Sequence, residues 1–501
     1  KRQVDLGKGD RRRVGTAGLG HGNALTVTAP LSVQNAQTFR APVSAVVQDS
    51  MTRITDWGAF VNSSGWVSGN SVKAAATGNS GTSGLTLDAV SLATAADLNS
   101  GQFGDGDVLV KIGSRSDRTG ASIAGLSDVV GSSLSVADNT VQGLATANIA
   151  ANAMKVAATQ LTNGSGHDDA TAGPDGSSVA AAADYALANH QLLGSDRTIA
   201  VTSDVAGRFA ATGGDVVQSS LSVAGNSQSS AARGNVASNL LELTATNLGG
   251  DGERAPGTAL SSFQAADAHV SATSDLVLDL TGTAVKSRLT LDGNSNTAFA
   301  QINGADNTSV IEAVHIREMS GDNAAAEVWT GEPGSVAGDH VLANNQTAAG
   351  SAVAKAVTKS VTPGYGGTLF ESAWVATGNT TTAQGAANQA SNSLAVTSAA
   401  DRDAGAGLLN AQASDANVLA AATSDIEHSA HSLPGSQVTI DGNGTAALAR
   451  GNTADNRLTL TGGSGSSLPT EATAVLGSFS RPSGSAMVLN AQTNTGAVTA
   501  R

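Results

Sequence analysis

The chain has 501 residues, with 59 Gly, 8 Phe, 4 Trp, 2 Tyr, no Cys, 14% charged side chains and a net charge of −14. The absence of cysteine excludes disulfide scaffolds, zinc ribbons and thiol catalysis. The scarcity of aromatics argues against ordinary globular cores, and the acidic balance argues against a nucleic-acid partner, because a phosphate backbone repels it.

Residues 1–20 form a basic arm, where Lys1, Arg2, Lys8, Arg11, Arg12 and Arg13 outnumber Asp5 and Asp10. Such an arm reads as solvated, with a docking strand for an acidic partner as the alternative. The sequence starts at Lys1 without an apolar signal core, as expected if a leader has been removed or is not included. No apolar run approaches the ~20 residues of a membrane helix, so no transmembrane span is expected. Together with the absence of Cys, the acidic balance points to an exported bacterial protein.

Residues 21–480 read as a repeat region and 481–501 as a C-terminal coil or tail. Two segments align without a gap: Ser132 to Val156 (SSLSVADNTVQGLATANIAANAMKV) and Ser219 to Leu243 (SSLSVAGNSQSSAARGNVASNLLEL). Each has an apolar-x-apolar pair, a leading Asn, and further Asn residues nine and thirteen positions later. In chain order the frames contain Asn70 and Asn79; Asn139, Asn148 and Asn152; Asn226, Asn235 and Asn239; Asn294, Asn303 and Asn307; Asn379, Asn388 and Asn392; and Asn443, Asn452 and Asn456. The leading Asn residues are separated by steps of 69, 87, 68, 85 and 64, which alternate long and short. Loops or insertions account for the unequal steps.

Apolar residues alternate with Ser, Thr, Asp or Glu, as in Leu289-Thr290-Leu291 and Leu458-Thr459-Leu460. Period two is the strand signature. Gly-Asn and Asp-Gly-Asn provide tight corners, although Asp292-Gly293 and Asp441-Gly442 also fit ordinary hairpins. Stacking such strands at ~4.8 Å allows like Asn amides to form ladders, while inward Ala keeps the section narrow. The expected fold is therefore all-β: an elongated β-solenoid (β-helix) of stacked coils with Asn-rich turns and minor helical or loop insertions. A coil of about 20 to 25 residues gives roughly 20 to 25 coils and a rod on the order of 100 Å long. The Ala-rich stretch from Ser178 to Leu193 reads equally as a short helix, whereas Asn379 to Ala390 contains a repeat frame and reads as solenoid.

Few residues offer chemistry. Ser165, His167 and Asp168 are adjacent in a polar turn, unlike a triad assembled from separate segments. The Gly-Asp runs at 104–107 and 249–253 echo calcium-binding β-rolls but lack their tandem nonapeptides. His428 and His431 read as a surface turn rather than a metal pair. Trp57 and Trp66 read as caps on a solenoid end, with stacking on sugar rings as the alternative; Trp329 and Trp374 read as capping or interrupting the stack. No catalytic residue, cofactor or metal is expected. A polysaccharide-cleaving β-helix would carry clustered carboxylates, which are sparse in this sequence.

Units such as GNSQSSAARGNVASNLLEL and GNGTAALARGNTADNRLTL resemble those of curli-related bacterial surface proteins. The Ala- and Thr-rich irregular version is similar to the holdfast anchor proteins of stalked bacteria, over roughly residues 60 to 465. The frames carry mostly Ala or Ser where curlin repeats have regularly placed Gln, which favours hetero-assembly over independent polymerisation. The resemblance implies a structural protein, exported to the bacterial surface and associated with the outer membrane, that anchors or assembles an adhesive extracellular structure. Its implied partners are other cell-surface anchor or fibre subunits, with end-to-end self-association and an adhesive polysaccharide as further candidates. The alternative is a secreted β-helix that binds or cleaves polysaccharide.

Overall fold

The computed structural model describes residues 24–27, 30–48, 50–56, 58–113, 119–125, 127–163, 168–173, 179–203, 207–250, 252–317, 324–330, 332–361, 368–428, 432–462, 471–476 and 483–501. Among these residues there are strands and no helices. The chain is an all-β solenoid, and each rung passes through three parallel stacks before the next rung begins.

The first stack, the corner sheet, contains the apolar-x-apolar pairs: Ser64–Ser68, Ser133–Ala137, Ser220–Ala224, Arg288–Asp292, Ala373–Thr377 and Gln437–Asp441. After a corner, the second stack contains six long strands: Ser71–Leu92, Thr140–Leu161, Ser227–Leu248, Ser295–Ile316, Thr380–Arg402 and Gly444–Thr461. The chain then runs back along a return sheet, whose first column comprises 31–39, 96–104, 185–193, 258–266, 340–348, 406–414 and 486–494. Shorter strands such as Val43–Val47 and Met51–Asp56 complete the passage to the next corner.

The corners follow from their residues. Gly69, Asp138, Gly225, Gly293, Gly378 and Gly442 all have φ between 55° and 69°, each just before a leading Asn. Glycine enters this left-handed region without a Cβ clash, and Asp tolerates it better than most residues. Asp292-Gly293 and Asp441-Gly442 accordingly turn between parallel stacks and not into antiparallel hairpins.

The register changes the expected scale. Asn70, Asn139, Asn226, Asn294, Asn379 and Asn443 lie above one another, so each step of 64 to 87 residues is one whole rung. The 20-to-25-residue frame is only part of a rung, and the expected 20 to 25 short coils are not formed. Six stacked levels are about 30 Å high at the ordinary strand spacing. The long dimension lies across the rung, where a 22-residue strand reaches up to about 70 Å.

Unequal steps also have a structural origin. A fourth, antiparallel sheet contains Ala24–Val27, Asp168–Gly173, Val179–Ala183, Ala324–Thr330, Glu332–Gly338, Ala472–Leu476 and Ser483–Gly484. The 87- and 85-residue steps contain the hairpins at 168–183 and 324–338, which the shorter steps lack. Adjacent strands and adjacent rungs share the same spacing, so one hairpin fills two levels. Inserting a hairpin on every second rung therefore tiles this face without a gap.

This hairpin sheet packs on the return sheet. Ala181, Ala183, Ala326 and Val336 meet Ala186, Ala188, Phe263 and Val341 in one buried cluster. The stretch that reads equally as a helix is thus strand: Tyr185 to Leu193 pairs in parallel with neighbours on both sides. The helix preference of Ala is worth only tenths of a kcal/mol per residue over most competitors, which two backbone ladders and burial of both faces outweigh. Insertions are hairpins, not helices, among the described residues.

Candidate functional site

Side-chain amides organise the interior, both at the corner and between the long-strand and return sheets. The leading Asn ladder runs from Asn70 through Asn139, Asn226, Asn294 and Asn379 to Asn443, each Nδ2 donating to the next Oδ1 at 2.8–3.0 Å. Each Oδ1 from Asn139 onward also accepts the backbone N–H of the preceding leading Asn. A second ladder joins Asn79, Asn148, Asn235, Asn303, Asn388 and Asn452. A third joins Asn152, Asn239, Asn307, Asn392 and Asn456.

The return sheet answers with glutamine. Gln102, Gln191, Gln264, Gln346 and Gln412 each donate Nε2 to the Oε1 of the preceding rung, from Gln102 to Gln37 onward, at 2.6–2.8 Å. The same amides cross the core, where Gln191 reaches Val236 O and Gln264 reaches Gly304 O at 2.8 Å. Asn148 and Asn235 cross in the opposite direction to Leu192 O and Ala265 O. Asn amides donate toward the C-terminal rung and Gln amides toward the N-terminal rung, so the two columns of dipoles oppose and offset one another.

Sequence reading centred on the Gly-Asn frames passes over this Gln ladder. The Gln residues lie in the opposite strand, in the pattern apolar-x-Asn/Ser-x-Gln, as in Leu187-x-Asn189-x-Gln191 and Leu342-x-Asn344-x-Gln346. That signal is present in the sequence, but it falls between the Gly-Asn frames and partly within the helix-like stretch. A serine ladder was also missed: Ser132, Ser219, Ser287, Ser372 and Ser436 each accept the backbone N–H of the preceding rung's corner Ser at 2.9–3.0 Å.

Residues with other chemical potential serve the architecture. Asp105 pairs with Arg197, and Asp107 accepts the N–H of Thr198, so the first Gly-Asp run staples two rungs. Among the described residues no group of three or more His, Asp or Glu side chains could hold a metal ion. Ser165 and His167 lie outside the described residues, as do Trp57, Asp251, His431, the arm at 1–20 and the Trp329 side chain. Partial burial pushes the Asp401 carboxyl up, but hydrogen bonds from Arg317 and His315 outweigh this and hold it below the ordinary carboxylate range. His428 packs beside Trp374, with ring centroids 5.0 Å apart.

Of the two tryptophans whose side chains are described, Trp66 and Trp374, neither acts as the expected cap. Trp374 is completely buried in the inward corner-sheet column that also contains Leu134, Leu221 and Leu289. It continues the core without interrupting the stack. Trp66 points outward on the first rung and is 66% exposed, so it does not close the end of the core.

Among the described residues no helix is long and apolar enough to cross a membrane. No protein-family model matches the chain, and neither do any curated protein or solved structure.

Proposed function

We propose that the chain is a structural protein of the bacterial cell surface that anchors or assembles an adhesive extracellular structure, as in the holdfast anchor and curli-related proteins that its repeats resemble. The carrying observation is the pair of facing Asn and Gln ladders, which hydrogen-bond across the core and from rung to rung. The interior Asn and Gln amides of these ladders join rung to rung. That arrangement favours a rigid scaffold over a catalyst, because a reaction site needs polar groups left free to meet a substrate.

On this reading the protein is exported and outer-membrane associated, and its partners are other anchor or fibre subunits and an adhesive polysaccharide. The Gln ladder, which bonds rung to rung beside the Asn ladders, supports assembly by stacking. Deletion of the gene in its native host, followed by a surface-adhesion assay and lectin labelling, tests the reading. The expected result is export of the wild-type protein to the cell surface and shedding of adhesive polysaccharide by the deletion strain. Normal adhesion and polysaccharide retention without the protein would refute it.

A further inference from the structure

The corner sheet presents an outward face that its architecture does not require. Along 64–68, 133–137 and 220–224 the outward residues are Ser, Ala and one Trp, so the strands of three successive rungs place no charge on this face. In a chain with 41 Asp plus Glu and 27 Lys plus Arg, that makes a neutral patch. Ser64 stacks against Ser133, Trp66 against Ser135, and Ser135 against Ser222. The Ser220 hydroxyl donates to that of Ser133 at 3.0 Å, which links two rungs on this face.

Trp66 is the exception in its column, where the following outward residues are Ser135, Ser222 and Thr290. An indole at 66% exposure leaves a large apolar surface in water, beside hydroxyls that donate and accept hydrogen bonds. Pyranose rings have matching chemistry: an apolar face of axial C–H groups and a rim of hydroxyls. The lack of charge favours a neutral sugar over an anionic polymer or an acidic peptide.

We infer that Trp66 and the serines around it form a contact site for a neutral polysaccharide. The indole stacks on one sugar ring, and the hydroxyls of Ser64, Ser68, Ser133 and Ser135 face neighbouring rings. This deepens the anchoring reading and rests on it, because it locates the surface that meets the polysaccharide. Tryptophan is among the residue types that carry most binding energy once a partner covers them.

The test uses the full chain titrated with cellohexaose and with hexa-N-acetylchitohexaose, and with oligogalacturonate as the acidic control. Intrinsic tryptophan fluorescence and calorimetry are the readouts. At least one neutral oligosaccharide is expected to produce a saturable blue shift, weakened at least 10-fold in Trp66→Ala and retained in part in Trp66→Tyr. The melting temperature of Trp66→Ala should match that of the parent chain, since the side chain supports no core contact. Equal binding by Trp66→Ala, preference for the acidic oligomer, or no response to either neutral sugar overturns the inference. Any of those results leaves the anchoring proposal standing unless the deletion strain also adheres normally.

Discussion

Gln264→Met, a substitution of similar volume in the middle of the stack, is expected to lower stability by about 3 to 5 kcal/mol. Gln264 donates to Gln191 Oε1 and to Gly304 O, and accepts from Gln346 Nε2. Methionine fills the space but removes the donor to Gln191 Oε1 and Gly304 O in a region from which water is excluded, and takes one of two acceptors from Gln346 Nε2, which keeps Gln389 O. Each stranded buried group costs about 1 to 3 kcal/mol, and relaxation recovers part of the sum. The same substitution at Gln37 should cost only about 1 to 2 kcal/mol, because this partly exposed residue ends the ladder and neighbouring groups can turn to water. Urea midpoints of the two variants check the gradient. Equal losses at Gln37 and Gln264 would mean that the amides act singly and not as a through-going ladder.

Mild acid is expected to destabilise the protein through two histidines that the rungs seal inside. Burial lowers both His190 and His340 from the ordinary 6.5 to about 3. The Nε2 of each is buried without a hydrogen-bond partner, so nothing supports a charge there. In the unfolded chain both rings take up a proton near pH 6.5; in the folded chain neither does until about pH 3. The unfolded state therefore binds more protons throughout that window, and stability falls as the pH drops through it. At about 1.4 kcal/mol per pH unit per ring, the pair accounts for about 5 kcal/mol between pH 6.5 and 4.5. Urea midpoints at pH 7 and 4.5 should differ strongly in the parent chain and much less in the double variant His190→Gln/His340→Gln. The depressed carboxyl of Asp401 acts below this range, and the partly buried His428 is common to both proteins. An unchanged acid sensitivity in the double variant would show that these rings are reached by water or paired in the folded state.

Strand periodicity and corner chemistry were legible because each has a local cause. Gly225 and Gly293 meet a left-handed backbone requirement, and Asn226 and Asn294 recur because each must bond to its counterpart one rung away. The length of a rung was not legible. The frame that repeats most clearly is one side of the coil, and parallel pairing partners 64 to 87 residues apart leave no local trace. The return strand was obscured for a different reason. Between Tyr185 and Leu193 both faces are covered, so alternation disappears, and Ala186 and Ala188 give the segment the composition of a helix. Gln191 and Gln264 lie in those intervals and were passed over with them. Gly78 shows a similar non-local cause: a Cβ there would lie 2.3 Å from the Phe39 ring, which arrives from the return strand 31–39 earlier in the chain.

Introduced disulfides test the central claim, that one 64-to-87-residue step is one rung, most directly, since the chain has no cysteine of its own. Ser135 and Ser222 are outward partners on adjacent rungs, 87 positions apart in sequence, and Thr290 lies one rung further. Parallel partners sit about 4.8 Å apart, within reach of a disulfide, whereas two levels span about 10 Å, beyond it. The pair Ser135→Cys/Ser222→Cys should oxidise fully under native conditions, while Ser135→Cys/Thr290→Cys should remain reduced within the monomer. Free thiols in the first pair, or an intramolecular bond in the second, would contradict the register on which the whole account depends.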